Sequence, residues 1–186
     1  MMQEDVRISL LQAYFKQNGL LLCNANNELP SLGTVGGDLN SLVALIERGE
    51  VFYSKLYKGR ATYLSRDFYY QIKPYKHRVT KLTAKSREVL EFIKAAGMAG
   101  TKDIRERLMI SSKDFTACMD ELCKELFVTA IARERTMNAN WCSFYWCTYE
   151  RWEQILPIEN AGADTEKIHE MLSAIMTDRQ IMSLLK

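Results

Sequence analysis

SREVLEFIKAAGMAGTKDIRERLMISSKDFTACMDELCKELFVTAIARERTMNANWCSFYWCTY, residues 86–149, decides how this chain folds. Its first part repeats apolar residues at helical spacing. Val89, Leu90, Phe92 and Ile93 form one stripe, opened by Thr83 or Ser86 and closed at Gly97, a residue that tolerates the left-handed backbone of a helix end. Thr101 is placed to cap a second helix over 102–108, which turns Ile104 and Leu108 to one side. Ser111 is placed to cap a third, with Asp114 at the capping-box position and Phe115, Met119, Leu122 and Leu126 as its buried stripe beside Cys118. The period then changes. Residues 127–133 and 141–148 are rich in strand formers, and the polar stretch 134–140 between them suits a hairpin tip. Three helices followed by a hairpin is the order of a winged helix.

The segment before this block has a related pattern. A first helix over 4–17 places Val6, Leu10, Leu11, Tyr14 and Phe15 on one face and ends at Asn18-Gly19. Residues 24–37 are rich in Asn, Gly, Pro and Ser and form a loop. Asp38 caps a short helix whose inward residues are Leu39, Leu42, Val43 and Ile46. Residues 51–57 and 60–64 then form a hairpin around Lys58-Gly59, and Ser65 caps a helix that stops before Pro74. Helix, helix and hairpin resemble a partial second winged helix. The expected class is α+β: an N-terminal α+β unit over 1–76, a polar and basic linker over 74–81, a winged helix over 82–156, and a C-terminal segment over 157–186.

Thr148 opens a short helix that ends before Pro157, and in the last segment a final helix runs from about 165 to the C-terminus. Its stripe of Ile168, Met171, Leu172, Ile175 and Met176 continues into Ile181, Met182, Leu184 and Leu185. Such a stripe either closes the core or pairs with a second chain, and methionine suits both surfaces. A homodimer through this helix is expected.

Composition narrows the class. At 186 residues, 47% hydrophobic and 26% charged, the chain can fill a core. No apolar run approaches the ~20 residues of a membrane helix. The N-terminus is acidic where a secretory signal would be basic. Five cysteines at irregular spacing argue for a reducing compartment, so a cytoplasmic protein without membrane contact is expected. No metal or cofactor is expected. Cys118 and Cys123 diverge on a helix, Cys142 and Cys147 point to opposite faces of a strand, and no glycine run precedes a Lys-Ser or Lys-Thr pair.

Charge is the strongest functional signal. The whole chain is only +2, yet residues 55–87 hold ten lysines and arginines against one acid, Asp67. Tyr57, Tyr63, Phe68, Tyr69, Tyr70 and Tyr75 are interleaved with them, and Tyr63 and Phe68 are expected inside. Cations release counterions from a polyanion, and aromatic rings stack on unpaired bases. Lys55, Lys58, Arg60, Arg66, Lys73, Lys76 and Arg78 are therefore the candidate DNA-backbone contacts, with His77 adding to the positive face. About six phosphate contacts would cost roughly a thousandfold in affinity between low and moderate salt. Arg133, Arg135 and Asn138 on the hairpin tip form a second candidate contact, unless the tip is simply solvated. The third helix is a poor base reader. Over 113–125 its two lysines face Asp114, Asp120, Glu121 and Glu125, so it is structural or meets a protein.

Two stretches resemble a known family. Phe52-Tyr53-Ser54-Lys55-Leu56-Tyr57-Lys58-Gly59-Arg60-Ala61-Thr62-Tyr63-Leu64-Ser65, and the block ending in Trp141-Cys142-Ser143-Phe144-Tyr145-Trp146 and Glu150-Arg151-Trp152, are similar to the AlkZ-related proteins. These are bacterial members of the winged-helix family that also contains the AlkZ-type DNA glycosylases, and the resemblance spans about 50–155. It implies a winged-helix DNA-binding fold tied to DNA repair. The glycosylases carry a Gln-x-Gln motif that positions the attacking water. Here Gln3, Gln12, Gln17, Gln71, Gln154 and Gln180 include no pair spaced by one residue, so no catalytic residue is carried over. The expected function is weakly sequence-specific binding of double-stranded DNA in repair or transcription. A reduced glycosylase-like enzyme and a protein-interaction module without DNA affinity are the alternatives.

Overall fold

The computed structural model describes residues 2–77, 82–138, 141–158 and 162–186. The first half runs α1 (Met2–Asn18), β1 (Leu20–Leu22), α2 (Leu39–Glu47), β2 (Val51–Ser54), β3 (Thr62–Ser65) and α3 (Arg66–Ile72), with a 3-10 turn at Lys73–Tyr75. The second half runs α4 (Ala84–Ala96), β4 (Ala99–Gly100), α5 (Thr101–Arg107), α6 (Ser112–Lys124), β5 (Val128–Asn138), β6 (Trp141–Thr148) and α7 (Tyr149–Glu153). Two short helices follow, α8 (Thr165–Leu172) and α9 (Asp178–Leu184). The architecture is mixed α+β, with two small antiparallel sheets. No helix of the described residues is long and apolar enough to cross a membrane.

The two halves repeat one topology. The first sheet is ordered β1-β3-β2 and the second β4-β6-β5, each with the last hairpin strand in the middle. Each half enters through a helix and a short strand, and each leaves its central strand directly into a helix. Local chemistry fixes the corresponding corners. Asp38 accepts from the Ser41 N–H and opens α2; Ser111 accepts from the Asp114 N–H and opens α6. Ser65 and Thr148, both extended, precede α3 and α7. Gly19 and Gly97, with φ of 68° and 74°, end the two entry helices. The halves differ at one place: the first has the loop after β1 where the second has α5.

The halves also hold each other reciprocally. α2 packs on β5, and α6 packs on β2. The edge strands β2 and β5 meet through one side chain: the Tyr53 N–H donates to Thr129 Oγ1 (2.8 Å), and that hydroxyl donates to the Tyr53 carbonyl (3.1 Å). Lys55, just past β2, pairs with Asp120 of α6 at 2.8 Å. Arg133 of β5 donates to Asn40 of α2 at 2.8 Å, and its backbone N–H donates to Glu47 at 3.2 Å.

Because side chains alternate along a strand, the first sheet is buried on both faces. Val51, Tyr53 and Tyr63 lie in one apolar cluster, which Val89, Ile93, Ile104, Phe115 and Leu122 complete from the second half. Phe52 and Leu64 lie in the other, with Phe68, Tyr69 and Trp152. Cys142 belongs to the first cluster and Cys147 to the second, so the two thiols do face opposite ways.

Several expectations need correction. The C-terminal stripe is split between α8 and α9, and Thr177 and Gln180 form a capping box that starts the second of them. Ile168, Met171, Leu172, Ile181 and Leu184 are buried against Phe68, Tyr69 and Trp152. The surface invoked for a homodimer is thus turned into the chain's own core. Thr101 does not cap α5; Gly100 holds that position, and the Thr101 hydroxyl accepts from the Trp146 indole N–H at 3.3 Å. β5 runs on through Asn138, so residues 134–138, expected in the hairpin tip, are strand. His77 adds no charge. Its ring lies between Phe127 and Tyr149, with centroids 5.0 and 4.2 Å away, and burial, with Lys73 beside it, pulls its pKa down to about 4.

Candidate nucleic-acid interface

Folding disperses the sequence's basic run and neutralises much of it. Arg66, the first residue of α3, is only 8% exposed. Its guanidinium lies 4.0 Å from the Trp152 ring centroid and donates to the carbonyls of Gly49 (2.5 Å) and Glu153 (2.9 Å). Burial lowers its pKa. Arg66 is therefore a buried tie between α3 and α7 and is not available to a ligand. Lys73 pairs with Glu153 at 2.5 Å and sits 4.5 Å over the Tyr149 ring. Lys76 is buried beside it. Arg78 lies outside the described residues. Of the interleaved aromatics, Tyr57, Tyr63, Phe68 and Tyr69 are all core.

The hairpin between β2 and β3 stays at the surface. Lys58, at φ 51° in the tight turn, makes a two-pronged contact with Glu28 at 2.8 and 2.9 Å. Hydrogen bonds from Lys58 and Tyr57 hold the Glu28 carboxyl below its usual range. Arg60 is exposed. Lys55 and Arg60 line a depression of about 730 Å³ with Asn24, Asn26, Glu28 and Trp141. The loop after β1 is fixed there, since Asn26 accepts from the backbone N–H groups of Glu28 and Leu29, both at 2.8 Å.

Two further depressions continue this one. Trp141, Tyr53 and Ala61 are shared with a cavity of about 340 Å³ between the halves, which also takes in Phe115, Thr116, Phe144 and Trp146. Thr101, Arg105 and Ser143 are shared in turn with a third depression, of about 710 Å³, lined by Lys102, Glu106, Glu134 and Arg135. Through these shared walls the three depressions adjoin one another along the junction, and we call this row of depressions the groove. Lys55 and Arg60 line it from the first half, and Lys102, Arg105 and Arg135 from the second.

Thus Lys55, Lys58, Arg60 and Arg135 lie on or beside one groove, whereas Lys73 and Lys76 lie at a separate surface and Arg133 is anchored to α2. Asn138 is exposed at the end of β5, in register with Trp141. Sequence reading missed Lys102, Arg105 and Trp141. All three stand outside the basic run, and only the docking of the halves reveals them. The acids of α6 are engaged within the chain: Asp114 pairs with Lys85 at 3.1 Å, Asp120 with Lys55, and Glu121 accepts from the Thr83 N–H and hydroxyl. This helix, expected to be structural or to meet a protein, spends its acidic side on contacts within the chain. Gln71 and Gln180 are structural too; Gln71 accepts from the Asp164 N–H at 2.8 Å, and Gln180 caps α9.

The AlkZ-related family model matches residues 43–185, more than three quarters of the chain. The chain belongs to the AlkZ-related family. The match extends past the stretch that first suggested it, in both directions. It takes in the second half of α2 and both C-terminal helices, so α8 and α9 are part of the family unit rather than an appendage. The family's name associates the chain with DNA repair. No curated protein and no solved structure matches it.

Proposed function

We propose that this AlkZ-related protein is a cytoplasmic DNA-binding module built from two winged-helix halves, the first lacking its middle helix. The observation that supports this most is the groove: cations from two stretches far apart in sequence converge on one concave surface. Lys55 and Arg60 contact backbone on one side of the junction; Lys102, Arg105 and Arg135 contact it on the other. Backbone contacts of this kind position a nucleic acid without reading its sequence. Weak sequence specificity follows, since the acidic side of α6 is already engaged within the chain. The ligand is DNA, in keeping with a role in repair, and nothing in the groove calls for catalysis by the chain itself.

The test is fluorescence anisotropy on a labelled duplex across a salt series. Five phosphate contacts give a slope near −4.5 in log–log form, or roughly a 500-fold loss between 50 and 200 mM salt. Arg60→Glu and Arg135→Glu, at exposed sites on opposite sides of the junction, are each expected to flatten the slope by about one or more. Binding absent at low salt, or unaffected by both substitutions, would rule out the groove as a DNA surface.

A further inference from the structure

The middle of the groove differs in kind from its two ends. Its wall carries Tyr53, Tyr63, Phe115, Trp141, Phe144 and Trp146, and among the described residues Arg105 is the one charged group lining it. No carboxylate of the described residues lines it to repel a phosphate. Tyr53 meets Tyr63, Phe144 and Trp146 at centroid separations of 5.4–6.0 Å, with planes inclined by 43–69°. A volume of about 340 Å³ is at the small end of ligand sites and suits one flat ring system. Trp141 is 59% exposed at the rim, a large apolar ring held in water beside the Arg60 depression. Arg105 is half-buried at the other rim, and its Nε has no hydrogen-bond partner among the described residues.

We infer that this cavity receives a single unpaired base of a DNA strand, with Trp141 stacking on the base and Arg105 holding the phosphate beside it. The inference rests on the DNA-binding reading and adds a substrate class to it: DNA with an unstacked base, in preference to intact duplex. The electrostatics favour a strand over an uncharged aromatic, because lysine and arginine lie along the groove on both sides of the cavity. A base already out of the helix enters at little cost, whereas a paired one must first be unstacked.

Four labelled oligonucleotides test this with the full chain: an intact duplex, the same duplex with one bulged base, the same bulge carrying an abasic nucleotide, and a single strand. One stacked base is worth about tenfold in affinity. The bulged duplex should bind about tenfold tighter than the intact and abasic ones, with quenching of tryptophan fluorescence that the abasic duplex does not produce. Trp141→Ala and Thr116→Trp, both at exposed positions on the rim, should bring the bulged duplex down to the affinity of the intact one, with far-UV circular dichroism like that of the wild type. Equal affinity for all duplexes, or a preference that survives both variants, overturns the inference and leaves the DNA-binding reading standing. No affinity for any of the four overturns both. A free nucleoside monophosphate that binds as tightly as the bulged duplex also overturns it, since the site would then not be for a strand.

Discussion

Replacing Arg66 with alanine should unfold the protein more readily without weakening its hold on DNA. The basic run would suggest the reverse, a surface cation whose loss costs affinity. The guanidinium donates to the Gly49 and Glu153 carbonyls and lies 4.0 Å from the Trp152 ring centroid. Hydrogen bonds to a charged group contribute about 1.5 kcal/mol or more each, and a desolvated cation–π contact about 1–2 kcal/mol. Removing them also leaves buried carbonyls unpaired and a cavity beneath Trp152. A loss of about 4 kcal/mol is expected, a large part of the 5–15 kcal/mol typical of a domain. With a urea dependence near 2 kcal/mol per molar, the unfolding midpoint should drop by about 2 M, followed by tryptophan fluorescence and far-UV circular dichroism. Arg66→Lys should recover little, because an ammonium cannot span carbonyls on two elements while stacking on an indole. If Arg66→Ala melts like the wild type but binds duplex DNA several-fold more weakly, Arg66 is a surface contact and the placement of α3 against α7 is wrong.

Three further outcomes follow from the same geometry. His77 is held neutral with its pKa lowered to about 4, against about 6.5 when unfolded; stability is therefore full above pH 6.5 and falls as the pH drops from there towards 4, because only the unfolded chain takes up the proton. Between pH 7 and pH 5 the wild type should lose about 2 kcal/mol more than His77→Gln, measured by urea denaturation at each pH; parallel pH profiles would contradict the burial of the ring. Cys118, Cys123, Cys142 and Cys147 are buried, and desolvation raises all four pKa values, that of Cys147 to about 12. Cys23 is half-buried on the wall of the aromatic cavity, so a thiol reagent should label it first in native protein and bound DNA should slow that labelling; first labelling elsewhere would refute it. Ile181 is fully buried and its neighbour Met182 is 48% exposed. Ile181→Asp should cost at least ~3 kcal/mol and Met182→Asp less than ~0.5 kcal/mol; comparable effects in thermal unfolding would show that α9 is not docked as described.

Local chemistry made most of the fold legible. Asp38, Ser65, Thr83 and Ser111 are caps readable from sequence alone, and each accepts the expected backbone N–H. Gly19 and Gly97 end helices because their φ must be positive. β4 escaped notice because two residues have no periodicity to detect. The burial of both faces of the first sheet escaped as well. Val51 to Ser54 alternates between two cores rather than between core and water, so the pattern is continuous and says nothing of what covers each side. The candidate site was less legible still. Ten cations in 33 residues form a patch only if they stay together and unpaired. Glu28, Asp120 and Glu153 come from elsewhere in the chain to meet Lys58, Lys55 and Lys73. A linear count of charge cannot anticipate partners that arrive through tertiary packing.

The site lies where the two halves depart from each other. In the second half, α5 occupies the space between the short strand and the third helix. In the first, residues 23–38 replace it, joined to β1 through the bridge between Leu22 and Ser31. A loop pinned by Asn26 covers less of the sheet edge than a helix would, and its residues 24–28 form a wall of the depression beside Arg60. Reciprocal packing of α2 on β5 and α6 on β2 joins the two halves at the junction. A cleft flanked by two hairpins, closed behind by a shared core and open in front for lack of one helix, is what allows Tyr53, Trp141 and Arg105 to line a single space. On the proposed reading, the shortened first half is the feature that leaves room for a ligand between Tyr53, Trp141 and Arg105.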